Sequence, residues 1–176
     1  MQACLSPSFT VAHDMQEVVD ATNTPLCIMH SGDILRQCLA HRTVGLLVRD
    51  RQGRTLLTHC QGLGWSISSF SNLYAGHSHE EQARKLLRDD WGQEGHVQYL
   101  QILPTDTAAL NTFTYLYEAR VSTALATEAA RDTSSHMLVD QDELQGLCAN
   151  FDSLLSPVLR NAVHNGLIRP YCNSQK

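Results

Sequence analysis

Between Ala75 and Gly92 the chain places two imidazoles, His77 and His79, four carboxylates, Glu80, Glu81, Asp89 and Asp90, and the amine of Lys85. The spacing of Ala83, Leu86, Leu87 and Trp91 predicts an amphipathic helix over 80–91 that stops at Gly92. At about 100° per residue, Asp90 falls about 40° from Leu86 and about 20° from Ala83, inside the apolar face. A carboxylate there either serves a metal or phosphate site or reaches from the helix end to solvent or a backbone donor. Asp89 and Asp90 also oppose the helix dipole, a local conflict of the kind retained at sites and also seen at frayed helix ends, whereas Glu80 and Glu81 suit the dipole at the other end. His77-Ser78-His79 is the one close pair among nine histidines. H-x-H alone is a weak metal signal, because ligand sets show several residues at defined spacing.

The elements that must position these groups follow from pattern. Glu17–Asp20 and Leu26–Met29, separated by Asn23-Thr24-Pro25, read as a hairpin, and a short helix is expected over Ile34–Leu39. Thr43–Val48 is an apolar strand that turns at Asp50-Arg51-Gln52-Gly53 into a strand starting at Thr55. Residues 61–72, rich in Gly and Ser, read as a loop before the helix. Strands follow at Val97–Leu103 and Phe113–Val121, joined by a loop over 104–112, with a short strand at Met137–Val139. Asp140 and Glu143 have capping-box spacing for a helix to about Ala149, and Ser156-Pro157 starts a last helix ending near Gly166. Strands, helix, strands, helix indicate a mixed or antiparallel sheet flanked by helices.

The chain has 176 residues, 43% of them apolar and 18% charged, which is a one-domain globular composition. The expected organisation is an N-terminal tail at 1–14, one domain over 15–169 and a C-terminal tail at 170–176. A net charge of −5 with scattered basic residues argues against a nucleic-acid polymer as partner. No apolar run approaches the roughly 20 residues of a membrane helix, so no membrane partner is expected. The first residues lack a basic segment followed by an apolar one, and the six cysteines show no CxxC, so a cytoplasmic address with reduced thiols is the expectation.

Other catalytic templates are missing: the chain has no G-x-S-x-G, no P-loop and no G-x-G-x-x-G. His59 and Cys60 are neighbours on a strand and point to opposite faces, which rules them out as a nucleophile pair. Trp65, Phe70 and Tyr74 either stack a base near the presumed cleft or pack into the core.

The stretch from Lys85 to Gly92 resembles a degenerate Nudix box. Where that family's helix ends R-E-U-x-E-E-x-G, this chain reads Lys85, Leu86, Leu87, Arg88, Asp89, Asp90, Trp91, Gly92. Gln37–Arg42, Asp50–Arg54 and the run Phe70-Ser71-Asn72-Leu73-Tyr74-Ala75-Gly76-His77 are similar to the Nudix branch that contains the bacterial isopentenyl-diphosphate isomerases and related hydrolases. The resemblance covers about residues 15–168 and implies a Nudix-type α/β/α sandwich with a central mixed sheet. It also implies a divalent-metal-dependent hydrolase of a small diphosphate-linked, nucleotide-like substrate. In that reading Asp89 and Asp90 hold Mg²⁺ or Mn²⁺, His41 and His77 match further metal ligands, Lys85 orients the acids or meets phosphate, and His77 or Glu81 assists catalysis.

The departures from the family pattern matter as much. Ala75 stands where the isomerase has its catalytic Cys, and Asn111-Thr112-Phe113 where it has an acidic motif, so isomerase activity is not expected. Leu86 replaces a carboxylate and cannot coordinate a hard cation. The loop between His77 and the helix is about five residues shorter than the family's, and each Asp retracts its carboxylate by about 1.5 Å where a metal site tolerates about 0.2 Å. Weak hydrolysis is the expectation unless Glu80, Glu81 or Glu118 compensates. The alternative is a Nudix-fold module that has lost catalysis and binds a nucleotide-like ligand or a protein partner.

Overall fold

The structure, a computed structural model, describes residues 14–107 and 110–168. The expected tails therefore lie, apart from residue 14, outside the described residues. The chain runs β1 (Met15–Val19), β2 (Pro25–His30), α1 (Ser31–Arg36), β3 (His41–Arg49), β4 (Thr55–Cys60), β5 (Gly64–Ser66) and β6 (Ser69–Asn72). It continues with α2 (His79–Trp91), β7 (Val97–Thr107), β8 (Leu110–Arg120), α3 (Thr123–Ala129), β9 (His136–Val139), α4 (Gln141–Asn150), a 3₁₀ turn (Asp152–Leu154) and α5 (Pro157–His164). The nine strands of the described residues join one sheet.

β3 organises that sheet. One of its edges pairs along its whole length with β8 in parallel, from His41↔Thr112 to Arg49↔Arg120. Its other edge is shared by three antiparallel partners: β1 at Val18↔His41, β6 from Thr43↔Asn72 to Leu46↔Ser69, and β4 at Val48↔Leu56. Because side chains alternate along a strand, β3 sends Val44, Leu46 and Val48 to one face and Leu47 to the other. The first face packs under Ala83, Leu86, Leu87 and Trp91 of α2 and Ala126 of α3. The second meets Leu144 of α4 and Val158, Leu159 and Ala162 of α5. The result is the α/β/α sandwich with a mixed, mostly antiparallel sheet that the sequence leads one to expect. No helix among the described residues is long and apolar enough to cross a membrane.

Residues 61–72 differ from the expected loop: they form β5 and β6, tied into the sheet by β4 and β3. Ser66, Ser68 and Ser69 are buried and bond to protein partners rather than face water. Ser68 Oγ accepts from Val48 N–H at 2.7 Å and donates to Leu56 C=O at 2.5 Å, and Ser69 Oγ accepts from Trp91 Nε1 at 2.8 Å. The loop expected over 104–112 is likewise largely ladder, because the β7–β8 pairing continues to Thr107↔Leu110. The short helix begins three residues earlier than expected, since His30 caps it by accepting from Gly32 N–H.

Gly64 is required where it stands. Its φ is 75°, and a Cβ there would lie 2.2 Å from the Leu154 carbonyl oxygen. Gly64→Ala therefore combines left-handed backbone strain with a backbone clash, and a loss of about 2–4 kcal/mol in chemical denaturation is expected.

Candidate functional site

The loop over 73–78 leaves β6, turns at Gly76 with φ 78° and enters α2 at its cap, Ser78. It is pinned to β1 by Ala75 N–H donating to Met15 C=O at 2.8 Å and by a bridge between Gln16 and Tyr74. This closes a pocket of about 390 Å³ walled by Glu17 of β1, Arg42 of β3, Tyr115 of β8 and, from the loop and helix start, Tyr74, His77 and His79. β1 and β3 are neighbours, so Arg42 reaches across to donate to Glu17 at 2.5 Å. Its other nitrogens donate to the Asn23 side-chain oxygen at 2.9 Å and the Asn23 carbonyl at 2.7 Å. Asn23 holds φ 64° in the β1–β2 turn, which Asp20 closes by accepting from the N–H groups of Thr22 and Thr24. The bond from Thr24 foremost, then those from the Thr22 hydroxyl and N–H, lower the Asp20 pKa.

The rest of the lining is largely aromatic. The His79 ring stacks on Tyr115 with centroids 4.3 Å apart and planes 14° from parallel. Its Nδ1 shares a 2.5 Å hydrogen bond with the Tyr117 hydroxyl, and Tyr99 packs edge-on against Tyr117. Burial lowers the His79 pKa below its ordinary 6.5, opposed by Glu80 and reinforced by Arg42. Burial, then Glu80 and Tyr99, pushes Tyr117 up to about 12. Both partners are therefore neutral near pH 7, leaving Arg42 and Glu17 as the balanced charges of the pocket wall.

The sign of the pH dependence follows. A histidine that resists protonation when folded binds its proton first in the unfolded chain, so its contribution to stability is full above pH 6.5 and declines as the pH falls toward the lower folded value. In denaturant titrations at pH 7.5 and about 5.5, His79→Phe is expected to lose less stability on acidification than the parent chain.

The residues singled out from sequence are placed less compactly than that reading requires. Glu81, Lys85, Asp89 and Asp90 are all exposed on α2. Asp89 pairs with Arg88 at 3.2 Å. Asp90 does not sit in the apolar face: the indole of Trp91 takes the sheet-facing place in the last turn, and the carboxylate stays in solvent. Leu86 is 7% exposed and belongs to the core under α2. His41 is buried at the start of β3, with Nδ1 on the Leu39 carbonyl at 2.9 Å. His77 lines the pocket, exposed, with its ring edge toward Tyr74 at 6.2 Å.

Glu80 is paired with Arg84, and Glu118 lies between Arg49 and Arg120. Among the described residues no three His, Cys, Asp or Glu side chains converge to hold a metal ion. The donor set therefore does not fit a closed site for a hard cation, which takes six or more oxygen ligands. Of the three aromatics named from sequence, Tyr74 lines the pocket, while Trp65 and Phe70 pack with the core under α4 and α5. Burial pushes the Cys60 thiol up, away from nucleophilic character.

Sequence reasoning missed Glu17, Arg42, His79 and Tyr115 as a group. The signal was available in part: Thr114-Tyr115-Leu116-Tyr117 alternates with period two, which puts both tyrosines on one face of a strand. The pairing that brings β1, β3 and α2 to that face is long-range and leaves no local mark.

No protein-family model matches the chain, and no curated protein does. Solved structures do. The crystal structure of DR0079 from Deinococcus radiodurans aligns with TM-score 0.58 at 18% identity, over 77% of this chain and 88% of that one. A MutT/Nudix family protein from Listeria innocua aligns with TM-score 0.54 at 15% identity, over 70% and 92%. NrtR of Shewanella oneidensis aligns with TM-score 0.52 at 15% identity, over 70% and 62%.

Proposed function

The chain has the Nudix fold, and from that premise we propose that it is a binding module for a small nucleotide-like ligand, seated in the pocket between β1, β3, β8 and the start of α2. The observation that carries this reading is the pairing of chemistries on the pocket walls. The stacked His79–Tyr115 rings and Tyr74 offer surface to a planar ring. In the same pocket, the Arg42–Glu17 pair offers a cation to phosphate and a carboxylate to an amine or hydroxyl. Ligand pockets commonly combine apolar and aromatic walls with a few placed polar groups.

A second reading, weak hydrolysis of a diphosphate-linked substrate with Mg²⁺ or Mn²⁺, is favoured by one observation: Asp89 and Asp90 are adjacent and open to solvent. Magnesium is often held by one or two carboxylates together with substrate phosphates. Thermal unfolding with a panel of nucleoside and sugar diphosphates, in chelator and in millimolar metal, followed by phosphate release, separates the two. Stabilisation that persists in chelator without phosphate release is expected for the binding module. Metal-dependent stabilisation with turnover, abolished by Asp90→Ala, would establish the hydrolase instead.

A further inference from the structure

We propose that β2 is a self-association edge, through which two copies of this chain pair antiparallel to extend the sheet across a two-fold axis. β2 pairs only with β1, so its other edge is open among the described strands. It is also uncovered on both faces: Leu26 is 65% and Ile28 56% exposed, Cys27 between them is exposed, and Leu35 of the adjoining α1 is 57% exposed. Proteins ordinarily guard such an edge with charge, proline or a bulge that turns it away. Here Pro25 stands at the very start, the bulge lies beside it at Val18/Val19, and Leu26 to Met29 is unguarded. From Ala21 to Gly32 there is no Asp, Glu, Lys or Arg, in a chain of net charge −5. Two copies meeting at this strip therefore bring no formal charges of the strip against each other.

The hydrogen-bond phase identifies which groups are offered. Ser31 N–H donates to Asp14 C=O at 2.8 Å, and the β1–β2 register runs Met15↔His30, Gln16↔Met29, Glu17↔Ile28 and Val18↔Cys27. In an antiparallel ladder bonded pairs alternate. Met29 and Cys27 thus turn their backbone groups toward β1, while Ile28 and His30 turn theirs outward. An outward Ile28 presents one donor and one acceptor, which its two-fold mate satisfies in return, so the edge is complementary to itself. This self-complementarity and the lack of charge select a second copy as the occupant over a charged peptide. A six-residue strand spans about 20 Å and with Leu35 offers less than the roughly 800 Å² per partner of a standard interface, the size class of weak or transient association, so micromolar concentrations are the range to test.

Sedimentation and light scattering of the full chain from about 5 to about 300 μM, bracketing that range, test this. The expected result is a mass rising from 19.6 kDa toward twice that value. Ile28→Pro removes an outward N–H and no bond to β1, and Ile28→Lys adds a charge to the edge. Each is expected to raise the dimer dissociation constant at least tenfold with an unchanged circular dichroism spectrum. A parent chain that stays monomeric at the highest concentration overturns the proposal. So does a dimer that persists in both variants, which would put the contact on another surface.

Discussion

Arg42→Ala is expected to abolish ligand-induced stabilisation and to cost the free protein about 2–4 kcal/mol, because one guanidinium both lines the pocket and ties three segments together. Its loss leaves Glu17 without a counter-ion and two oxygens of Asn23 without donors, in a turn where Asn23 already holds φ 64°. The side chains of Arg42 and Glu17 are 18% and 31% exposed, so water recovers part of the loss and the figure lies below that for a fully buried pair. At about 2–4 °C per kcal/mol for a domain of this size, the melting temperature falls by about 4–16 °C. Arg42→Lys keeps the charge but reaches at most one of the three acceptors, so it should recover part of the stability and little of the ligand response. Calorimetric melting with and without ligand checks both. Retention of the full ligand shift in Arg42→Ala would move the binding site elsewhere.

The second large effect is expected at Trp91. Its indole is 9% exposed, takes the sheet-facing place in the last turn of α2, donates to Ser69 at 2.8 Å and meets His136 edge-on at 5.4 Å. One side chain thus joins α2 to β6 and β9. Truncation to Ala removes the aromatic burial and leaves a cavity, for about 3–5 kcal/mol in denaturant unfolding. Trp91→Phe fills most of the volume and loses the donated hydrogen bond, for about 1–2 kcal/mol. Because Trp91, not Asp90, anchors the helix end, Asp90→Asn is expected to change stability by less than about 0.5 kcal/mol.

The difference between Trp91 and Asp90 shows how far a sequence carries and where it stops. Helical periodicity identified α2 and its buried stripe, because the repeat of apolar residues and the Gly92 stop are local properties; Gly92 indeed ends the helix with φ 61°. The same periodicity put Asp90 inside, since a helical projection knows nothing of where the sheet ends or which neighbour is bulkier. Local chemistry was legible elsewhere too. The Asp140–Glu143 capping box forms in both directions at 2.8 Å. Asp50 closes the β3–β4 turn by accepting from the N–H groups of Gln52 and Arg54.

Long-range pairing was not legible. Ser66, Ser68 and Ser69 read as loop residues because serine composition marks loops, yet each is buried, with its hydroxyl bonded to a partner distant in sequence. Within 122–135, where no element is expected, α3 forms behind a Ser122 cap and an alanine-rich run. That signal is local and lies open in the sequence. The pocket itself was the least legible feature. Its lining comes from four separate elements and a loop, and the parallel β3–β8 register that aligns Arg42 with Phe113, and so sets Tyr115 two residues further along, exists only in the fold.

The most direct test of the central claim is equilibrium binding of a nucleoside diphosphate by isothermal titration calorimetry, in chelator, to the parent chain and to the Asp89→Asn/Asp90→Asn and Arg42→Ala variants. The same affinity is expected for the parent and the double Asn variant, and no measurable heat for Arg42→Ala. Binding that appears only with Mg²⁺ or Mn²⁺ and vanishes in the double Asn variant would contradict it, and would place the chemistry on the exposed end of α2.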